Sequence, residues 1–569
     1  MREVSRREVG LVLLGASLLA MAMPWPLPLH LGRDIPRDFG DPLGQAWQVA
    51  WIGHAFLHQP DELFQANIYY PLHNSLATTD VLFGYAPAGL IGTGSKAALV
   101  RYDILFLFAY FLAFVGAYLL SRELGVGPAA AAVAGVAFAY APWRLGQDPS
   151  LNILSSGGVP LAVFLLLRGY RRQSSWTVLA GWLAAVWQLL LGINLGLQLA
   201  YLLLVLGAIA AVYWYRRRPA LRRGVIVASA VGIGGVLLVT GWLARPYLQV
   251  RDDHPEARRT IDDVEAFSPG IEAFLHVPSG NLIRGAEPRG LGETLAAREH
   301  ALFPGAVILA LAALGAFAPV YPRRWRVAAV LAILALVALS LGYVSERSIV
   351  VQPFKLARDY LPGWDAIRAP SRINTLTSLG LALLAAAGAQ QLLISVERRT
   401  AFRGLLIGLI PSVVATALVV AILLEGSGFQ FRNGGLRAPR HPSVPAPPSG
   451  QLGATEPQLH LPYAYSYPFG DSDLYVYWST DGFPKMANGW GGFLPKSDVA
   501  LEQDSLGFPD GASVARLKAR GIRTVVFHPD LAPGTEWAHV AKAPVRGLPL
   551  SREVRGDVVL FHLDPEAGQ

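Results

Sequence analysis

Continuous apolar runs recur through the chain at 9–28, 99–121, 128–142, 151–168, 175–192, 194–214, 224–245, 301–320, 327–345, 371–394 and 402–424. A helix crossing a bilayer needs about 20 apolar residues. The pattern therefore predicts an α-helical multi-pass membrane protein with about eleven spans. The runs are unbroken rather than alternating, which excludes a β-barrel. The pattern changes near residue 425. Residues 426–458 are rich in Gly, Pro and Arg and read as a linker. Beyond it come strand-like LHLPYAY (459–465), helix-like SVARLKARG (513–521) stopped by Gly521, and strands IRTVVFH (522–528) and DVVLFHL (557–563). The predicted organisation is a transmembrane domain over 1–424, a linker over 425–458 and a small C-terminal α/β domain over 459–569.

Composition agrees. Of 569 residues 53% are hydrophobic and 15% charged, and the mean hydropathy is +0.38. A soluble protein carries about 25% charged residues. A soluble enzyme, a disordered chain and a coiled coil are excluded. The chain has no Cys, hence no disulfide, thiolate metal site or cysteine nucleophile. The net charge of +8 would suit nucleic acid if it were clustered on a soluble face. Instead it sits in short loops between the apolar runs. Arg2, Arg6 and Arg7, Arg122, Arg168, Arg171 and Arg172, Arg216 to Arg218 with Arg222 and Arg223, Arg323, Arg324 and Arg326, and Arg398, Arg399 and Arg403 fall in alternate loops. Cytoplasmic loops are enriched in Arg and Lys, so the expected orientation is N-terminus inside and C-terminus outside. Residues 1–22 also have the form of a signal peptide ending Ala20-Met21-Ala22. Trp25 and the prolines after it favour a retained first span.

On this topology the long segments 29–98, 246–300, 346–370 and 425–569 lie outside. The polar chemistry lies there too. No Walker-type phosphate loop and no HExxH zinc motif occurs. Asp38 and Asp41 stand in RDIPRDFGDP, before a helix on which Leu43, Trp47, Trp51 and His54 share one side. That helix is expected in the membrane interface, with its Trp at headgroup depth. Asp41 suits a general base at that interface. Asp-Pro in a first helical turn is equally a capping signal, and the two roles are compatible. His73 and Asp80 follow in the same loop, where ordinary turn positions compete with substrate binding. Arg144, Gln147 and Asp148 form a second cluster, readable as an interfacial turn or as a substrate contact. Lys355, Arg358, Arg368 and Arg372 put cations on the side expected to lack them. Arg binds phosphate oxygens bidentately, and the competing reading is pairing with Asp359 and Asp365. Glu299 and His300 close the acidic second loop, for which a solvated surface is the default.

The chain resembles bacterial members of the GT-C superfamily, multi-pass glycosyltransferases that use lipid-phosphate sugar donors. FGDPLGQAWQVAWIGHAFL matches the acidic motif that opens an interfacial helix, and NIYYPLHNSLATTD matches the second interfacial segment. AFAYAPWRLGQDPSLN, REHALFPG, RAPSRINTLTSLGLALLAAAG, NGWGGFLP and ARLKARGIRTVVFHPD follow in the family's order.

The resemblance implies an inverting transfer of a sugar from a polyprenyl-phosphate donor to an envelope glycan, lipid or protein acceptor. It places the enzyme in the cytoplasmic (inner) membrane, with the active site facing outside. By position Asp41, or else Asp38, would be the base. Arg368 and Arg372, then Arg358 and Lys355, would hold the donor phosphate. His54, His73, Asp80, Arg144, Gln147, Asp148, Glu299 and His300 would line the substrate site. The base position has neither a DxD motif nor an Asp-Glu pair, so the resemblance leaves a divalent metal, Mg²⁺ or Mn²⁺, open. The expected partners are the lipid-linked sugar, membrane lipid and the acceptor, not nucleic acid. Two rivals stand beside this reading. A lipid-linked glycan flippase needs a polar path and inverted repeats, and neither is evident. A non-catalytic scaffold would display the C-terminal domain to an envelope partner.

Overall fold

The computed structural model describes residues 5–282, 295–345, 352–402, 409–432, 435–463 and 471–563. Arg2, Arg403, strand residues 464–465 and parts of the outer segments 246–300 and 346–370 lie outside the described residues. The chain forms two compact units. The first takes the chain start up to Leu29, then Leu105–Gly241 and Arg259–Arg440; the second takes His30–Ile104, Trp242–Arg258 and His441 onward.

Each of the eleven apolar runs contains a helix: α1 Arg6–Ala22, then, after α2 Asp41–His58, α3 Gly94–Glu123, α4 Pro128–Ala139, α5 Gly158–Arg172, α6 Ser175–Leu189, α7 Ile193–Arg217, α8 Arg223–Asp253, α9 Ala306–Phe317 and α10 Arg323–Ser340. After a short α11 Pro353–Tyr360 come α12 Asn374–Phe402 and α13 Leu409–Glu425. Among the described residues five helical stretches are both long and apolar enough to cross a membrane: Gly94–Glu123, Leu151–Arg172, Ile193–Arg217, Arg223–Asp253 and Pro370–Arg399. On α7 and α8 large apolar side chains such as Leu204, Leu237 and Leu238 are about two-thirds exposed or more. Such surface is costly in water and suits lipid.

In the first unit, small residues set the packing. A Cβ on Gly315 of α9 would meet the Leu384 carbonyl oxygen at 1.9 Å, and one on Gly388 of α12 would meet that of Leu311 at 2.0 Å. Only glycine lets two backbones approach so closely, the usual device where lipid supplies no hydrophobic drive between helices. Ser5 and Ser174 cap α1 and α6 by accepting from the amides of Glu8 and Thr177. Within the stretch expected as a linker, β1 Gln430–Arg432 and β2 Gly435–Arg437 form a hairpin.

The second unit carries a four-stranded sheet. Its strands are β3 Gln458–Leu461, β4 Thr524–Phe527, β5 Ser551–Arg555 and β6 Val558–His562, in spatial order β3-β4-β6-β5. β3 and β4 are parallel; the other pairs are antiparallel. Leu459, Leu461, Val525, Phe527, Val559 and Phe561 are buried in one core, and Val526, Val558 and Leu560 in another with Ala454. Successive strand residues face opposite ways, so both faces are covered and the strands read as near-continuous apolar runs. The edge strand β5 is different: Arg552, Glu553 and Arg555 break its pattern, as suits an unpaired edge. The helices α14 Asp471–Trp478, α15 Lys496–Ser505 and α16 Gly511–Ala519 complete the unit. Val514 and Leu517 of α16 join the first core.

Candidate active site

The acidic motif lies in the second unit. Gly40, not Asp41, occupies the cap of α2, and no side chain makes the capping hydrogen bond there. The capping role expected for Asp41 is therefore corrected. Asp41 is the first residue inside the helix, where the positive end of the helix dipole favours a carboxylate. Asp38 folds back, and its Oδ1 accepts the Gly40 amide at 3.0 Å. A Cβ placed on Gly40 would stand 3.2 Å from Asp38 Oδ1 and 3.8 Å from Asp473 Oδ2. Asp473 is a functional candidate that the sequence reading missed. The position expected for the base has no local DxD, yet folding brings near Gly40 one aspartate of Asp471-Ser472-Asp473 from α14.

The C-terminal segment NGWGG explains how α2 is seated. A Cβ on Gly44 would fall 2.3 Å from the Trp490 ring, and one on Gly489 would strike the Tyr69 ring. The Gly492 amide donates to the Thr78 carbonyl at 2.7 Å. Trp47 Nε1 donates to Asn67 Oδ1 at 3.0 Å, and Asn67 Nδ2 reaches the Pro484 carbonyl at 2.9 Å. Trp47 and Trp51 are consequently buried, which corrects the expectation that they lie at headgroup depth. Their indoles pack on Trp490 and Phe483 instead. His54 stacks on His58 with ring centroids 4.3 Å apart and lies 4.5 Å from Phe483. Burial, and then the charge of His58, lowers its pKa from the ordinary value. His73 is exposed. The Asp80 carbonyl accepts from Gln48 Nε2 at 3.2 Å, which ties the loop to α2.

The expected phosphate clamp belongs to the first unit. Glu299, 1% exposed, accepts from Arg372 Nε at 2.8 Å and from Ser371 Oγ at 2.5 Å. The acidic loop end is thus a buried partner of the cation cluster, not a solvated surface. Arg368 lies over the Phe267 ring, 4.7 Å from its centroid; against the effect of burial, hydrogen bonds from Thr260, then the charge of Arg259 and last that of Arg368 hold the Asp263 carboxyl below its usual range. Arg358 donates to the Arg259 carbonyl. Arg259, a second residue missed from sequence, is close enough to feel the Arg372 charge; burial first, and Arg372 after it, lower its pKa. Lys355 stands apart, exposed and paired at 2.5 Å with Asp359 one helical turn on. That is the pairing the competing reading foresaw. His300 is half-buried, and burial lowers its pKa.

Arg144, Gln147 and Asp148 also lie in the first unit. Arg144 is 1% exposed. Its guanidinium donates to Ser156 Oγ at 2.9 Å and to the Leu154 carbonyl at 3.0 Å, and stands 5.6 Å from the Tyr110 ring centroid. Tyr110 in turn donates to Asp148. Burial pushes the Arg144 pKa down, and Tyr110 and Asp148 oppose the shift. Gln147 is buried beside them in the same turn. A charged group held this far from water suits either a structural lock or a site for a polar ligand. Among the described residues no three His, Asp or Glu side chains are arranged to hold a metal ion. The Mg²⁺ or Mn²⁺ left open by the resemblance has no such donor set among them.

No protein-family model and no curated protein matches the sequence. Among solved structures, two cryo-EM structures of a mutant of the arabinofuranosyltransferase AftD from mycobacteria match over 99% of this chain, at 15% and 16% identity, with TM-scores of 0.53 and 0.54. The chain spans 42% of the length of AftD. Two structures of the Archaeoglobus fulgidus oligosaccharyltransferase, one bound to an inhibitory peptide and a dolichol-phosphate, align at 12% identity with TM-scores of 0.41 and 0.43. They match over 92% and 91% of this chain and over 70% and 69% of their own. The likeness of this chain to the arabinofuranosyltransferase AftD is one of fold.

Proposed function

We propose that the protein is an inverting glycosyltransferase that moves a sugar from a polyprenyl-phosphate donor to a cell-envelope acceptor outside the cytoplasm. The observation that carries this reading is the meeting of Asp38 and Asp473 at Gly40, next to Asp41 at the first turn of a buried helix. The fold likeness to AftD, an arabinofuranosyltransferase, supports it and puts a pentofuranosyl donor first among those to try. In the proposed step a carboxylate, Asp41 before Asp38, takes the proton of an acceptor hydroxyl while that oxygen attacks the anomeric carbon. The bond from that carbon to the phosphate oxygen breaks, and the polyprenyl phosphate leaves with the electron pair. A single displacement inverts the anomeric centre. Arg368 and Arg372, with Arg259 beside them, are proposed to stabilise the phosphate charge, because fixed cations in a partly desolvated site need little reorganisation. Eleven spans with N-terminus inside and C-terminus outside, in the inner membrane, complete the proposal.

The test is transfer by the purified full chain in nanodiscs, with polyprenyl-phospho-sugars supplied one at a time and envelope extract as acceptor. Transfer that disappears in Asp41→Asn supports the reading. A folded protein inert with every donor overturns it.

A further inference from the structure

The start of α10, remote in sequence from every residue assigned to transfer, carries a groove of about 740 Å³. It is lined by Pro322, Arg323, Arg324, Val327, Ala328 and Leu331. Positions four and eight apart on a helix share a face, so two guanidiniums stand above an apolar stripe. The stripe runs about 12 Å from Arg323 to Leu331 at 1.5 Å per residue, within the roughly 15 Å depth of one leaflet's hydrocarbon. Val327 is 50% exposed and Leu331 60%, with Trp325 at 47% beside the arginines. Trp is the side chain favoured at headgroup depth. The third arginine of the run has a structural task, since Arg326 donates to the Ala316 carbonyl at 3.0 Å. Arg323 and Arg324 are exposed and have no carboxylate partner among the described residues. This end of the helix also carries one of the Arg clusters that the charge pattern assigns to the cytoplasm.

We propose that this groove binds one anionic phospholipid, its phosphate and headgroup between Arg323 and Arg324 and an acyl chain along Val327, Ala328 and Leu331. Charge complementarity selects the occupant: two cations above an apolar wall match a lipid with net negative charge better than a zwitterionic one. Arg forms bidentate hydrogen bonds to phosphate oxygens, and the apolar stripe excludes a free phosphate as the better ligand. The site does not depend on the transferase reading, because its ligand is a structural lipid and not a sugar donor.

The experiment is native mass spectrometry of the full chain released from nanodiscs holding phosphatidylglycerol and phosphatidylethanolamine in equal amounts with matched acyl chains. The expected result is one retained phosphatidylglycerol, enriched about tenfold over phosphatidylethanolamine. Arg323→Ala with Arg324→Ala should abolish the enrichment, whereas Arg217→Ala with Arg218→Ala, in another Arg-rich loop, should leave it unchanged. Leu331→Trp, which keeps both charges and fills the apolar wall, should also expel the lipid. It serves as the readout if the arginine variant does not fold. Equal retention of both lipids, equal loss in both arginine pairs, or a lipid-free dimer closed over this face would overturn the proposal.

Discussion

At the scale of single residues, function and stability separate at Asp41. It is the first residue of α2 and not its cap, so Asp41→Asn weakens a favourable charge at the helix start, worth about 0.3–2 kcal/mol. A lost general base costs roughly 10²- to 10⁴-fold in rate. Asp41→Asn should therefore lose at least about 100-fold in transfer, with only the small fall in melting temperature that a helix-end charge accounts for. A comparable loss of stability would return Asp41 to a structural role. The arginines divide the same way. Arg372→Ala strands the Glu299 carboxylate, which is 1% exposed, and breaking one side of a buried pair costs about 3–5 kcal/mol. Arg368 has Phe267 beneath it, a contact worth about 0.5–2 kcal/mol. Arg368→Ala should thus fold, and its donor KM, measured against that of the parent, tests the phosphate contact without a collapsed background. Asp41 was legible because an acidic residue before Pro and a Trp-bearing helix is a local pattern. Asp473 and Arg259 were not, because their roles arise only from contacts made across long stretches of chain.

At the scale of elements, β3 and β4 bury a histidine pair, His460 Nδ1 lying 3.0 Å from His528 Nε2. Gln458 Oε1 is 3.3 Å from His460 Nε2, and Tyr475 and Trp478 pack against the rings. Burial lowers the His460 pKa to about 3, and burial together with His460 lowers that of His528 as well. A base depressed in the fold leaves the protein intact above the unfolded-state value of 6.5. As pH falls below that value the unfolded chain takes up protons that the fold refuses, and stability drops. Asp498 on α15 acts in the opposite sense. Burial raises its pKa from 3.8 to about 7 although Tyr463 donates to it. Its neutral form suits the fold, so its contribution is complete below pH 3.8 and is lost as pH rises towards 7. Amide exchange of Val525 to Phe527, corrected for intrinsic rate, should then speed up as pH falls from 6.5 towards 3. Asp498→Asn should raise the melting temperature at pH 8 and leave it nearly unchanged at pH 4. A pH-independent exchange profile would contradict the buried pair. The sequence showed β3, β4, β6 and α16 because their apolar runs are local. β5 escaped notice because its charged edge hides the alternation, and the small helices α14 and α15 carry too little periodicity to stand out.

At the scale of the whole molecule, all eleven apolar runs contain helices, yet by length and composition alone only five of the stretches described are sufficient to cross a membrane. The difference has a physical source. Helices such as α9, of 12 residues, are too short by themselves for a hydrocarbon core about 30 Å thick. The proposed topology rests on the charge pattern and not on helix length, because each Arg-rich loop is an independent constraint on the span count. The absence of Cys makes that pattern directly measurable. Ala220 stands among Arg216, Arg217, Arg218, Arg222 and Arg223, and Ala538 follows β4; both are exposed. In intact cells Ala538→Cys should react with a membrane-impermeant maleimide wherever the outer envelope admits the reagent, while Ala220→Cys should react only after the inner membrane is permeabilised. Labelling of both before permeabilisation would contradict the odd number of spans between them, and labelling of Ala220→Cys alone would reverse the orientation. Asp38, Asp41 and Asp473 would then be left on the side opposite to the one an external transfer requires.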